Sequence, residues 1–248
     1  MNGYNETAAC GVVFTTSSIS SLNSYGYSPH PLSSYIGWIK EILSKSGLVK
    51  PFIISITAST SDELTPMISF IQELRSTPNI APLVAIELNT SCPNVPMVSP
   101  SGYIPSSIHP LLTALSDAHK QDKSLTIGLK LPPYTYRAQF EAIIETLREF
   151  DLGTFAFLTC TNTLGNSLLF SDQVEETREE PAFGGLAGDA LHALALGNVH
   201  TFHELLQGEI AIIGVGGFVC AKAGAAVVGA ATILGKEGVR AFELLTAA

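Results

Sequence analysis

The chain has 248 residues, of which 46% are apolar and 14% are charged, and its mean hydropathy is +0.31. This composition excludes a disordered chain, and the length fits one large domain or two small ones. The formal net charge is −9 and there is no cluster of basic residues, which argues against nucleic-acid binding.

The four cysteines, Cys10, Cys92, Cys160 and Cys220, are far apart in the sequence and lack the spacing of metal ligands. We interpret them as free thiols in a reducing compartment, which predicts a cytoplasmic protein without a metal site. The first residues lack a basic stretch followed by an apolar run, and no apolar stretch reaches membrane-spanning length. We therefore expect neither a signal peptide nor contact with a membrane.

Short apolar runs alternate with amphipathic patterns along the chain. The apolar runs predict buried strands over residues 11–14, 52–57, 83–88, 125–129, 155–158, 210–215 and 225–230. They are rich in Val, Ile, Leu and Phe without strict alternation, which is typical of parallel strands covered on both faces. The amphipathic patterns predict helices over residues 32–46, 106–119, 136–150, 189–206 and 237–246, and one that begins near residue 61. This alternation predicts an α/β fold with a parallel sheet.

Two features disagree with a simple parallel barrel. Only nine residues separate Val215 from Ala225, whereas a crossover between parallel strands needs about a dozen. Seven strands are predicted, whereas a closed (β/α)₈ barrel has eight. Either the last two strands are not neighbours in one sheet, or the chain lacks pieces that this architecture requires.

Ligand sites in parallel α/β folds lie at the carboxyl ends of the strands. Polar or small residues follow five of the predicted strands, namely Asn89, Ser91, Cys92 and Asn94, then Lys130, then Thr159, Thr161, Asn162 and Thr163, then Gly216 and Gly217, and finally Ala231 and Thr232. Each group by itself is typical of turns. Their convergence at one mouth predicts a pocket.

The chemistry of these residues suggests a planar, polar, anionic ligand beside a phosphate. Asparagine amides both donate and accept hydrogen bonds, which matches the edge of a pyrimidine ring. The backbone N–H groups of residues 216–217 and 231–232, next to a predicted helix start, suit a phosphate. Cys92 could act as a general base. His192, His200 and His203 fall in a helical pattern, and we expect them to be surface or packing residues.

Several segments resemble the soluble, fumarate-using class of dihydroorotate dehydrogenases. The segment NTSCPNVP is similar to the family's NLSCPNVP, LKLPPY to VKLPPY, TNTLGNS to NSIGNG, AFGGLAG to GFGGIGG, and AATILGKEG to IGTALHKEG. The resemblance covers nearly the whole chain in the right order. It implies one domain over residues 1–248, a (β/α)₈ TIM barrel that binds FMN at its mouth, and a homodimer.

The resemblance also implies a role for each matching residue. Cys92 would remove the C5 proton of dihydroorotate while hydride passes from C6 to FMN, and fumarate would reoxidise the flavin. The orotate ring would be held by Asn23, Asn89, Asn94, Asn162 and Thr163. Lys130 would lie beside the flavin ring. The FMN side would be lined by Gly185, Gly216, Gly217, Ala231 and Thr232, the last four around the phosphate.

The chain departs from the family pattern at several places. Thr16 stands where the family has Lys or Arg, and Ala231 stands where it has a phosphate-binding glycine. The first strand of the barrel and the helix expected between Gly217 and Ala223 are missing from the pattern. Two alternatives therefore remain beside dihydroorotate oxidation. One is a degenerate, catalytically impaired relative, and the other is a different FMN barrel oxidoreductase acting on a pyrimidine.

Overall fold

The structure is a computed structural model, and it describes residues 11–26, 28–45, 50–92, 100–217 and 219–246. The strands are β1 (Val12–Phe14), β2 (Ser20–Asn23), β3 (Phe52–Ile56), β4 (Val84–Asn89), β5 (Ile127–Lys130), β6 (Phe157–Cys160), β7 (Leu164–Leu169), β8 (Ala182–Gly188), β9 (Ala211–Val215) and β10 (Val227–Gly229). The helices are α1 (Leu32–Lys45), α2 (Ser61–Arg75), α3 (Pro105–Gln121), α4 (Arg137–Arg148), α5 (Asp189–Leu206), α6 (Val219–Lys222), α7 (Thr232–Glu237) and α8 (Ala241–Thr246). No helix in these ranges is long and apolar enough to span a membrane.

Six strands form a parallel sheet in the order β10-β9-β6-β5-β4-β3. Helices alternate with these strands, so the predicted α/β fold of the (β/α)₈ barrel type is confirmed. It is incomplete among the described residues, because the parallel sheet has six strands where the full barrel has eight. β3 and β10 are its two edges.

The core lies between this sheet and its helices. Helix α4 shows how the helices contribute to this core. It carries apolar residues at helical spacing, all of them buried, namely Phe140, Ile143, Ile144 and Leu147. Strand β4 contributes Ile86 and Leu88, which are fully buried in the same cluster. The continuous apolar runs that predicted these parallel strands are therefore covered as expected.

A second sheet is antiparallel, in the order β1-β2-β8-β7. The prediction that residues 11–14 belong to the buried parallel sheet is wrong, because β1 pairs with β2 in this second sheet. Val12 is exposed on its surface. An isolated run of four apolar residues does not distinguish a parallel core strand from one half-covered antiparallel strand.

The short connection between β9 and β10 is nevertheless a parallel crossover. Val227 pairs with Ile213, and Gly229 pairs with Val215, so the two strands are direct neighbours. The prediction that the intervening helix is absent is wrong, since the one-turn helix α6 occupies the connection. The connection runs over residues 216–226, about the length that such a crossover needs, because β10 begins at Val227 rather than at Ala225.

Arg75, at the end of α2, is almost fully buried and connects the sheet to the loop before β5. One of its terminal nitrogens donates to the carbonyls of Ala81 and Val84, the latter at 2.6 Å, and the other to Asp122 at 3.1 Å. Hydrogen bonds from Ser124, together with those from Gln72 and Arg75, hold the pKa of the Asp122 carboxyl well below its usual range. Its contribution to stability is therefore present at neutral pH and lost as the pH falls through that depressed pKa.

We expect Arg75→Leu to lower the free energy of unfolding by about 3 kcal/mol, because it removes the donor to the Ala81 carbonyl and the buried Val84 carbonyl and takes the positive charge away from Asp122. Urea denaturation at neutral pH measures this change. The control is Arg137→Leu, which removes an exposed ion pair with Glu141 and should change stability by about 0.5 kcal/mol or less. Equal effects of the two substitutions would contradict the structural role assigned to Arg75.

Candidate active site

The carboxyl ends of the central parallel strands meet at one edge of the sheet. The register pairs Asn89 with Lys130 and Lys130 with Thr159, and it pairs Cys160 with Gly214. The polar residues that follow β4, β5 and β6 are therefore neighbours across the sheet, as the sequence predicted.

A cavity of about 210 Å³ opens at this edge, between the parallel sheet, the end of β8 and the first turns of α5. Seven of the predicted site residues line it, namely Lys130, Asn162, Thr163, Gly216, Gly217, Ala231 and Thr232. Asn94 lies outside the described residues. The remaining predicted residues, Asn23, Asn89, Cys92 and Gly185, are placed by hydrogen bonds and close contacts beside this cavity.

The Asn162 side chain ties the ends of β6 and β4 together. Its amide nitrogen Nδ2 donates to Asn89 Oδ1 at 3.0 Å and to the Ser91 carbonyl and hydroxyl oxygens at 3.1 and 3.0 Å. Its oxygen Oδ1 accepts from the Thr163 backbone N–H at 2.8 Å. Because Asn162 is only 7% exposed, this network fixes the predicted ring-binding asparagines relative to each other.

Asn23, Thr163 and Gly185 come together where the antiparallel sheet meets the parallel one. Asn23 Nδ2 donates to the Gly185 carbonyl at 3.2 Å. A Cβ atom on Gly185 would lie 2.2 Å from Thr163 Oγ1, so only glycine permits this approach. The register of β2 against β8, which pairs Asn23 with Gly185, sets the arrangement.

Cys92 is half-buried, and its thiol donates to the Gly26 carbonyl oxygen, with Sγ 3.0 Å from that oxygen. This contact joins the loop after β4 to the segment that follows β2. Cys92 and Asn23 therefore come from two different sheets, and neither is among the residues that line the cavity.

The side chains of Lys130 and Thr161 lie in the cavity wall and have no partner in the described part of the chain. The half-buried Lys130 side chain forms no hydrogen bond or ion pair there, although its backbone carbonyl accepts from Thr90. Thr161 is 5% exposed and lines the cavity, and its hydroxyl oxygen is buried without a hydrogen-bond partner. Buried polar groups are normally paired, so these two groups indicate a polar ligand.

The expected role of the Gly216 and Gly217 amides in phosphate binding stays a prediction. Both N–H groups donate to the Gly229 carbonyl, at 3.0 and 3.4 Å, and this bond holds the turn after β9 against β10. They line the cavity but are not free donors for a phosphate. Helix α7, which begins at Thr232, has six residues.

Thr16, at the position where the family has a basic residue, is exposed, and its backbone N–H donates to the Gln173 carbonyl at 3.1 Å. In this segment the ammonium of Lys236 donates to the Thr15 carbonyl at 3.3 Å and pairs with Glu175 at 2.7 Å. The charge of Lys236 is thus already paired.

Thr161 and His192 line the cavity, although the resemblance implied no role for either. Thr161 follows β6 directly, and only its missing partner distinguishes it from an ordinary turn residue. His192 was expected at the surface or in packing, whereas the structure places it in the cavity wall. The expectation holds for His200, which is exposed, and for His203, whose ring packs on Gly224.

An α/β fold of the (β/α)₈ barrel type with a polar site at the carboxyl ends of its strands defines a class of barrel enzymes. Comparison of the chain with known protein families narrows this class of enzymes. Residues 11–247 match the dihydroorotate dehydrogenase family, and the chain belongs to that family, as the motifs predicted.

Two similar proteins are assigned as dihydroorotate dehydrogenase A (fumarate). The one from Streptococcus equi subsp. equi is 30% identical over 240 residues, which cover 94% of this chain and 73% of the relative. The one from Streptococcus pneumoniae serotype 4 is 29% identical over 235 residues, which cover 92% of this chain and 71% of the relative.

We expect Thr161→Val to raise the free energy of unfolding of the ligand-free protein by about 1 kcal/mol, because it removes an unpaired buried hydroxyl at constant shape. Thermal or urea denaturation measures the change. Thr159→Val is the matched control with the opposite sign, since its hydroxyl donates to Glu87 at 2.6 Å and its loss should destabilise the protein. A loss of stability in Thr161→Val similar to that of the control would show that Thr161 has a partner in the protein itself.

Proposed function

We propose that this chain is an FMN-dependent dihydroorotate dehydrogenase, which oxidises (S)-dihydroorotate to orotate in de novo pyrimidine biosynthesis with fumarate as electron acceptor. The observation that carries the proposal is the pair of unpartnered groups, Lys130 and Thr161, beside the asparagine network in one cavity. The family match and the names of the similar proteins support the same reaction.

The residues of the cavity fit a flavin. A lysine ammonium without a counter-ion can stabilise the negative charge that a flavin ring acquires on reduction. The Thr161 hydroxyl offers a hydrogen bond, and the cavity wall is otherwise mostly apolar through residues such as Leu191, Ala195 and Val215. A largely apolar cavity with a few placed polar groups is typical of cofactor sites.

The proposed roles follow the geometry of the two sheets. Bound FMN would supply the hydride acceptor. Asn89 and Asn162 present a fixed hydrogen-bonding edge to the substrate ring, and Asn23, Thr163 and Gly185 border it from the antiparallel sheet. Asn94 would complete the ring-binding set. We place the phosphate near Gly216, Gly217, Ala231 and Thr232, which line the other end of the cavity.

Cys92 is the proposed base for the C5 proton. Its thiol donates to the Gly26 carbonyl, so before it can take a proton from the substrate Cys92 would have to lose this proton to solvent and become a thiolate. Substrate binding would therefore have to separate Sγ from Gly26, which couples the loop after β4 to the segment after β2. Fumarate would then take electrons from the reduced flavin in the same pocket.

A catalytically impaired relative is the second candidate. It is favoured by Thr16, which brings no positive charge to the site, and by the Gly216 and Gly217 amides, which are already bonded to Gly229. Both features would weaken cofactor and substrate binding without changing the asparagine network.

The domain organisation, the location in the cell and the oligomeric state are proposals as well. We propose that residues 1–248 form one domain, that the protein is cytoplasmic and that it forms a homodimer. Leu168 and Phe183, paired across β7 and β8, and Phe170 are exposed apolar residues that offer a surface for a second copy.

We expect the protein, purified or reconstituted with FMN, to show the visible absorption of a bound flavin. Anaerobic addition of dihydroorotate should bleach this absorption, and fumarate should restore it. A protein that binds FMN without being bleached would support the impaired relative. A protein that takes up no FMN would contradict the proposed function.

We expect Cys92→Ala to slow the reduction of bound flavin by dihydroorotate by about 10²- to 10⁴-fold, the usual contribution of a general base. Stopped-flow absorbance measures the rate, and Cys92→Ser should be intermediate. The FMN affinity of both variants should equal that of the wild type. Full activity of Cys92→Ala would show that another group is the base.

A further inference from the structure

His192 lies on the first turns of α5 and lines the same cavity as Lys130. Its ring packs over the turn after β9, with Nδ1 3.2 Å from the position that a Cβ atom on Gly216 would take. The side chain is half-buried, and it forms no hydrogen bond or ion pair within the described ranges. A polar ring in a cavity wall without a partner needs an explanation.

His192 and Lys130 occupy different ends of the cavity. Lys130 ends β5, whereas the turn beneath His192 follows β9, and β6 lies between these strands. Neighbouring strands are about 4.8 Å apart, so the two ends are separated by about 10 Å across the sheet. In barrels of this type the loops after the last two strands commonly form a phosphate site, and β9 and β10 are the last two strands here.

This end of the cavity has few other groups that can bind a phosphate. The Gly216 and Gly217 N–H groups are bonded to Gly229. The Thr232 hydroxyl is within hydrogen-bond distance of the Ser21 hydroxyl, at 3.0 Å. Among the described residues that line the cavity, the ionisable ones are Lys130, Asp189 and His192. His192 is therefore the only one of these that can bring positive charge to the β9 end.

The other ionisable groups around His192 do not replace it. Asp189, three residues earlier on α5, accepts from the Ile19 N–H at 2.9 Å. Burial raises the pKa of the Cys160 and Cys220 thiols, so both remain neutral. Lys222 on α6 is exposed.

Among the described residues of β8, β9, α4 and α7, no cation is unpaired. Strands β8 and β9 carry no ionisable side chain. On α7, Lys236 is paired with Glu175 and Glu237 with Arg240. On α4, Arg137 is paired with Glu141 and Arg148 with Glu209.

We propose that the protonated His192 side chain pairs with the phosphate of FMN, so that this chain discriminates FMN from riboflavin by an amount that decreases as the pH rises. The inference rests on the proposed flavin function and assigns a specificity role to a residue of the same cavity. The sign follows from the charge, because only the protonated imidazole is positive. Its contribution is present at the lower pH and is lost when the proton is lost.

The pH range can be chosen so that the phosphate itself changes little. Histidine side chains change charge between about pH 5 and 8, whereas a phosphate monoester loses its second proton near about pH 6. At about pH 6.5 and 8.5 the phosphate is therefore largely dianionic, so a difference between the two measurements does not come from the phosphate. Riboflavin lacks the phosphate and reports every other effect of pH on the flavin site.

The test is the dissociation constant of each flavin for the ligand-free protein, measured by quenching of flavin fluorescence at both pH values. In the wild type, the preference for FMN over riboflavin should be about tenfold greater at the lower pH, as for one charge-assisted hydrogen bond. His192→Gln should remove this pH-dependent preference without changing riboflavin affinity. His192→Lys should retain the preference at both pH values. His200→Gln, on the exposed face of the same helix, should behave as the wild type.

The results of these binding measurements distinguish the role of His192 from the proposed flavin function on which it rests. A preference for FMN that is independent of pH and unchanged in His192→Gln would overturn the role of His192, while flavin binding would stand. If the wild type binds neither flavin, the proposed function fails and the inference fails with it. Circular dichroism confirms that each variant is folded, and the Lys variant tests the charge if the Gln variant is unstable.

Discussion

The Asn162 amide connects the ends of two strands that are not adjacent. β6 and β4 are separated by β5 in the sheet, and the Nδ2 group of Asn162 crosses this distance to reach Asn89 and Ser91. The loop after β4 is also bonded to β5, since Thr90 donates its N–H and its hydroxyl to the Lys130 carbonyl, at 3.1 and 2.8 Å. These bonds occupy the backbone around Lys130 and leave its side chain as the group available to a ligand. The same network that satisfies the buried polar groups therefore also organises the candidate site.

The charges along the cavity follow from this arrangement. Lys130 is at the end where β4, β5 and β6 meet, and His192 is at the end formed by the turn after β9. Asp189 is the acidic group of the wall, and its carboxylate is already bonded to the Ile19 backbone. A long anionic ligand with a polar ring at one end and a phosphate at the other would meet a positive group at each end when His192 is protonated. This distribution of charge supports the proposed binding of FMN more specifically than the size of the cavity does.

The sequence predicted the parallel strands and the polar residues at their ends, because continuous apolar runs and the residues after them are local features. It did not predict the antiparallel sheet. Strands β2 and β8 consist mainly of Ser, Gly and Ala, and they lack the alternation of apolar residues that marks a strand. Their pairing joins Asn23 to Gly185 across more than 160 positions and depends on close backbone approach at glycine.

The position of His192 in the wall was also not predictable, since a helical pattern does not reveal which residues border a cavity. The sequence also did not reveal that the Gly216 and Gly217 N–H groups donate to the Gly229 carbonyl. This bond joins two strands and is therefore a tertiary feature.

The incomplete barrel affects the two ends of the site differently. Asn89, Lys130 and Asn162 follow strands that have neighbours on both sides, so their positions do not depend on the edges of the sheet. Ala231 and Thr232 follow β10, which is itself an edge strand of three residues and pairs only with β9. The ring end of the cavity is thus supported by the central sheet, whereas the phosphate end is supported by a short edge strand, one turn of helix and the contact with α5. Edge elements with few buried contacts open more easily than central ones. An impairment caused by the incomplete barrel would therefore act first on cofactor affinity, and the geometry of the asparagine network and of Lys130 would persist in the protein that retains its flavin.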